Sequence, residues 1–177
     1  MRITLVRHAE VEEAYIGKYN GHIDVGLSKN GQKQAANLAK KFQNAHFDAI
    51  FCSDLKRAKE TLKHFSLTAQ VIYLKELREK SWGENEGKSF EQISTSGVEY
   101  INFTQWIEAL GGESIEDFQK RIQKVFYENI FKMKKKELLV LTHSGVIKTL
   151  LSLEKNISLE EAFGESIPYA SSITLYK

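Results

Sequence analysis

The chain has 177 residues, 42% of them hydrophobic, which suits one domain with a full core and leaves no call for a second. Its 25 basic and 23 acidic side chains leave a formal charge of +2, a mixed surface without a global field for nucleic acid, so any anion site must be local.

In chain order, Ile3 to Val6 reads as a buried strand that runs straight into Arg7 and His8; the apolar stretch is too short for a signal-peptide core. Asn30 to Phe42 carries Ala35, Leu38, Ala39 and Phe42 at helical spacing. Ala49 to Cys52 is a second buried strand, and its lone cysteine fits a reducing cytoplasm better than a disulfide or a metal ligand. A helix is expected over Lys56 to Phe65 and a third buried strand over Val71 to Leu74. From Glu79 to Gly112 the rhythm breaks into glycines and two short helical patterns, which reads as a lid. Ser114 to Phe131 is the longest helical pattern, with Ser114 as N-cap and the basic run Lys132 to Lys136 closing it against the macrodipole. Leu138 to Leu141 is a fourth buried strand, Val146 to Leu153 a helix, and Ser171 to Tyr176 an edge strand. No window reaches the length of a membrane span. Strands alternating with helices imply an α/β fold, a three-layer α/β/α sandwich with a mainly parallel central sheet and a small helical lid at its carboxyl end.

Three strand ends carry chemistry. Arg7 and His8 follow the first, Arg57 lies in the first helical turn after the second, and His143 follows the fourth in Thr142-His143-Ser144-Gly145. In an open α/β sheet these positions face one crevice. Two guanidiniums and two imidazoles there form a pocket for a dianion, because guanidinium forks match phosphate oxygens in pairs. Fixed arginines can neutralise a phosphoryl group in transfer without a metal, with His8 attacking as neutral imidazole and Arg7, Arg57 and His143 holding the oxygens. Glu79, just after the third strand, is the candidate to protonate the leaving alkoxide and then deprotonate water. No cofactor and no metal is expected.

These residues, in this order, resemble the histidine phosphatases of the phosphoglycerate mutase-like superfamily over nearly the whole chain. The resemblance is carried by Arg7-His8-Ala9-Glu10, Gly21 to Ser28 with Gly31 and Gln34-Ala35, Ser53 to Ala58, Leu77-Arg78-Glu79 with Gly83, Gly111 to Ser114, and His143-Ser144-Gly145. It implies His8 as nucleophile, Arg7, Arg57 and His143 as phosphate ligands, Glu79 as acid and base, and Asn20 and Gly21 near the substrate. Ala9 departs from the usual glycine, and Val11 and Ala14 stand where many members have threonine and a phosphate-contacting asparagine. Asn85 replaces a tryptophan of the lid pattern. In length and in Tyr19 to Gly31 the chain most resembles the α-ribazole-5′-phosphate phosphatases.

The expected partner is a small-molecule phosphomonoester, with neither nucleic acid nor membrane; oligomeric state stays open. A mutase is disfavoured because the lid offers only Lys80 and Lys88 as cations, a protein phosphohistidine phosphatase because such domains lack a lid, and a non-catalytic phosphate-binding module because every reactive residue is present. His22, His46 and His64 read as structural, Trp82 as packing, Glu10 and Glu113 as orienting neighbours, and Asp54 as an N-cap.

Overall fold

The computed structural model describes residues 1–177. Five strands, β1 (Arg2–Arg7), β2 (Ala49–Ser53), β3 (Val71–Leu74), β4 (Glu137–Thr142) and β5 (Ser172–Tyr176), form one sheet in the order β3-β2-β4-β1-β5. The first four are parallel and β5 pairs antiparallel with β1 at the edge.

Inner strands alternate between two apolar faces, as the two-residue period requires. Ile3, Leu5, Leu138 and Val140 point to one cluster, which α5 (Ile115–Gln123) and α6 (Ser144–Lys155) complete. Val6, Ile50, Cys52, Leu139 and Leu141 point to the other, filled from α1 (Lys29–Lys41) and α2 (Lys56–Leu62). The outcome is the expected α/β/α sandwich.

Capping fixes where helices begin. Ser28 accepts from Gly31 N at α1, and Ser114 accepts from Asp117 N at α5 as expected. The apolar periodicity predicts one helix to Phe131, whereas after Gln123 the turns widen to π geometry over Lys124–Ile130, keeping Val125, Phe126 and Ile130 all buried. The basic run lies in the turn beyond that helix, not in its last turn. Two further differences concern edges. β3 was expected to be buried but has β2 as its only partner, which leaves Tyr73 50% exposed. A short helix, α7 (Leu159–Gly164), follows α6 where no helix was expected; Ser158 caps it, accepting from Glu161 N.

The lid is present. It contains α3 (Phe90–Ser94), whose Ser89 and Gln92 form a capping box, and α4 (Phe103–Ala109). Its own small core joins Trp82, Ile93, Trp106, Ile107 and Leu110. Asn85, in the place of a tryptophan, ties the lid by donating to Leu110 O at 3.0 Å. No helix is long and apolar enough to cross a membrane.

Phe126 is fully buried at the centre of the larger cluster, so Phe126→Ala should cost about 3–5 kcal/mol of unfolding free energy. Urea denaturation checks this; a loss under about 1 kcal/mol would mean that the site collapses around the smaller side chain.

Candidate active site

β1 and β4 are neighbours in register, Arg7 opposite Thr142, and His8 N extends the ladder by donating to Thr142 O at 3.0 Å. The next residue of each strand is therefore a histidine, and the His8 and His143 rings lie 5.1 Å apart between centroids. Arg7, His8, Arg57, Glu79, Asn20 and Gly21 line a cavity of about 140 Å³, together with Lys18, Tyr19, Trp82 and Tyr169. His143 is fully buried and is not among the lining residues; it stands behind His8.

Hydrogen bonds fix the state of His8. Its Nδ1 lies 2.7 Å from Ala9 O, and a carbonyl only accepts, so Nδ1 carries the proton and Nε2 keeps the free lone pair. Ala9 is held in turn, its N–H donating to Thr61 Oγ1 at 2.9 Å. His143 Nε2 meets Ser53 Oγ at 2.8 Å, while its Nδ1 is buried without a partner.

The guanidiniums are held by carbonyls. Arg57, 2% exposed, donates to Gly21 O at 2.7 Å and Ile23 O at 2.8 Å. Arg7 donates to Ile167 O, lies 4.0 Å above the Tyr169 ring, and leaves its buried Nε unpartnered. Neither forms a salt bridge. Burial lowers the pKa of Arg57 to about 10 and also lowers that of Arg7, with the Glu79 charge opposing both shifts. Burial, and then the Arg57 charge, push His8 and His143 well below the ordinary imidazole value, so both rings are neutral at pH 7.

Glu79 spans two backbone donors, Lys80 N to Oε1 at 3.0 Å and Gly145 N to Oε2 at 2.9 Å, the second in the first turn of α6. A Cβ on Gly145 would come within 2.1 Å of Glu79 Oε1. The backbone beneath Glu79 is braced as well. Its carbonyl accepts from His22 Nε2 at 2.9 Å and Arg121 Nη2 at 3.3 Å, and Arg121 is itself forked onto Glu113. Asn20 donates to Tyr15 O at 2.8 Å, leaving its buried Oδ1 unpartnered. Gly21 takes φ +43°, and a Cβ there would lie 2.4 Å from Glu86 Oε1.

A model of the histidine phosphatase superfamily (branch 1) matches residues 3–176. The chain belongs to that superfamily. This histidine phosphatase is 30% identical over 158 residues to the adenosylcobalamin/alpha-ribazole phosphatase of Salmonella typhimurium, covering 86% of this chain and 78% of that protein. It is 34% identical over 140 residues to phosphoserine phosphatase 1 of Hydrogenobacter thermophilus, covering 75% and 65% respectively. In fold, the alpha-ribazole phosphatase from Shigella flexneri superposes with a TM-score of 0.83 at 24% identity, over 98% of this chain and 89% of that one.

Some site neighbours escape a motif reading. Tyr169 belongs to no motif and reaches the cavity because Ala170, at φ +50°, donates its N–H to His8 O at 3.1 Å. Ser53 read only as part of the Ser53 to Ala58 element. Asp54, expected as an N-cap, instead takes both branches of Arg78 at 2.6 and 2.7 Å; the α2 amide of Lys56 is capped by Asp24 at 2.6 Å. Lys80 is no free cation: its Nζ donates to Ser81 O and Gly111 O and sits 4.3 Å above Trp82.

An imidazole depressed in the folded state stays neutral while the unfolded chain takes up a proton. Stability is then fully present above the unfolded value of about 6.5 and is lost as pH falls below it. With both histidines depressed, the protein should lose unfolding free energy as pH falls from about 7.5 to about 5.5, and His8→Asn should lose less of it than wild type. Urea titrations at the two pH values measure it; equal slopes for wild type and variant would show that His8 titrates normally.

Proposed function

We propose that this phosphatase hydrolyses small-molecule phosphomonoesters without a metal, through a phosphohistidine formed at His8 Nε2. The observation that carries the proposal is the Nδ1–H donation to Ala9 O, which leaves a neutral ring with its nucleophilic nitrogen free in a cavity flanked by two guanidiniums that form no salt bridge.

In the first step His8 Nε2 attacks phosphorus and the ester P–O bond breaks, the alkoxide taking its proton from the Glu79 carboxyl. In the second, the Glu79 carboxylate takes a proton from water, the water oxygen attacks phosphorus, and the N–P bond breaks to release phosphate and restore His8. Arg7 and Arg57 face the equatorial oxygens, each with donor hydrogens beyond those spent on carbonyls. With the Ser53 hydroxyl donating a hydrogen bond to His143 Nε2, the His143 proton sits on Nδ1, a buried donor without a partner behind His8. Asn20 Oδ1, equally unpartnered, accepts from the incoming ester or its water. The buried Cys52 thiol, which burial raises to about 12 and which donates to Ser53 O at 3.2 Å, forms no disulfide and suits the reducing cytoplasm.

The relatives support a named substrate, α-ribazole 5′-phosphate. A second reading, phosphoserine, has in its favour the H. thermophilus relative and Lys18, whose ammonium in the cavity wall suits a carboxylate.

Phosphate release from α-ribazole 5′-phosphate, L-phosphoserine, 3-phosphoglycerate and p-nitrophenyl phosphate, with EDTA throughout, tests the proposal. Wild type is expected to be active with EDTA and His8→Ala inactive; undiminished activity in His8→Ala would sink the mechanism. Glu79→Gln should lower kcat about a hundredfold or more, and Gly145→Ala, which drives a methyl into the Glu79 carboxyl, should lower it by a similar factor. Wild-type rates in both variants would remove Glu79 from the proton transfers.

A further inference from the structure

A second cavity, of about 480 Å³, shares the Tyr19 and Trp82 walls of the first. Eight of its ten lining residues are hydrophobic, and the lining comes from three parts of the chain: Tyr19 in the loop between β1 and α1, the lid itself, and α7. Its size is that of a small-molecule site, more than three times the phosphate cavity.

The walls are aromatic and ordered. Tyr19 meets Trp82 edge-on at 5.3 Å, and its hydroxyl accepts from Trp106 Nε1 at 2.9 Å. Phe90 packs on Trp106 at 4.6 Å, and Phe163 of α7 faces Phe103 of α4 at 5.2 Å, so the pocket bridges lid and sandwich. Lys80, fully engaged, holds Trp82 from behind, and Lys148 donates to Phe163 O at 2.9 Å. Phe90 and Tyr100 are 48% and 54% exposed, large apolar surface left in water at the pocket's walls.

The charge in this pocket is as informative as its rings. Its one charged lining residue is Glu160, and no lysine or arginine lines it. A carboxylate-bearing alcohol placed there meets a like charge, whereas a flat apolar group gains ring faces on several sides.

Resting on the phosphatase reading above, we propose that this aromatic pocket is the leaving-group subsite, and that the substrate class is the phosphate esters of alcohols bearing an uncharged aromatic group. Phosphate sits in the smaller cavity, the ester chain passes Tyr19 and Trp82, and the aromatic group fills the larger one.

The test separates binding from chemistry. Trp82 and Trp106, the only two tryptophans, both line the pocket, so intrinsic fluorescence reports its occupancy. Titration with 2-phenylethylphosphonate and propylphosphonate should show the aromatic compound binding at least about tenfold tighter with a change in emission. Phe90→Ala and Tyr100→Ala, both at exposed positions, should each erode that preference. Equal affinities, or a preference untouched by both variants, overturn the proposal. In parallel, kcat/KM is compared for 2-phenylethyl and propyl phosphate, whose alcohols are similar leaving groups. Turnover of both at equal kcat/KM overturns the subsite and leaves the phosphatase reading standing. Selective phosphonate binding with no turnover of either ester upholds the subsite and overturns the phosphatase reading.

Discussion

Arg57 is buried to 2% exposure and no carboxylate forms a salt bridge with it, a costly arrangement that the rest of the structure is organised to sustain. The solution is partial. Carbonyls of Gly21 and Ile23 satisfy two of its donors, Ile167 does the same for Arg7, and the positive charge itself stays uncompensated at short range. Burial first, and then that residual field, keeps both imidazoles neutral, and the field favours an anion in the cavity. The left-handed turn at Gly21, with Glu86 packed where a Cβ would stand, delivers the carbonyl Arg57 needs.

Much of this was legible in the sequence because strand ends are legible. The apolar runs before His8 and His143 located two carboxyl termini of strands, and β1–β4 pairing in register turned them into adjacent imidazoles. Residues whose role depends on a distant backbone atom were not legible. Asp54 was read from local spacing as a cap, yet Arg78 reaches it across the fold; the true cap, Asp24, is 32 residues away from Lys56. Edge position was equally hidden, since Val71 to Leu74 is as apolar as an inner strand and only topology exposes Tyr73. The lid was visible as broken rhythm, but not the convergence of its rings with Phe163, because α7 gave no signal long enough to read.

The lid also changes the meaning of Trp82. Read from the sequence as a packing residue, its indole joins the lid core on one side and lines both cavities on the other. A residue shared in this way couples the lid's internal order to the shape of the site, so the lid need not move for its packing to matter.

The contact of Arg7 with Ile167 and Tyr169 joins positions 160 or more residues apart, through a loop pinned by the strained Ala170 and by β5 against β1. Closing so long a stretch of chain is entropically slow and comes late. During synthesis on the ribosome, β1 therefore waits with one edge bare and its arginine unseated until the segment from Ile167 to Tyr176 has emerged. The cavity beside His8 takes its final shape only once that segment has docked.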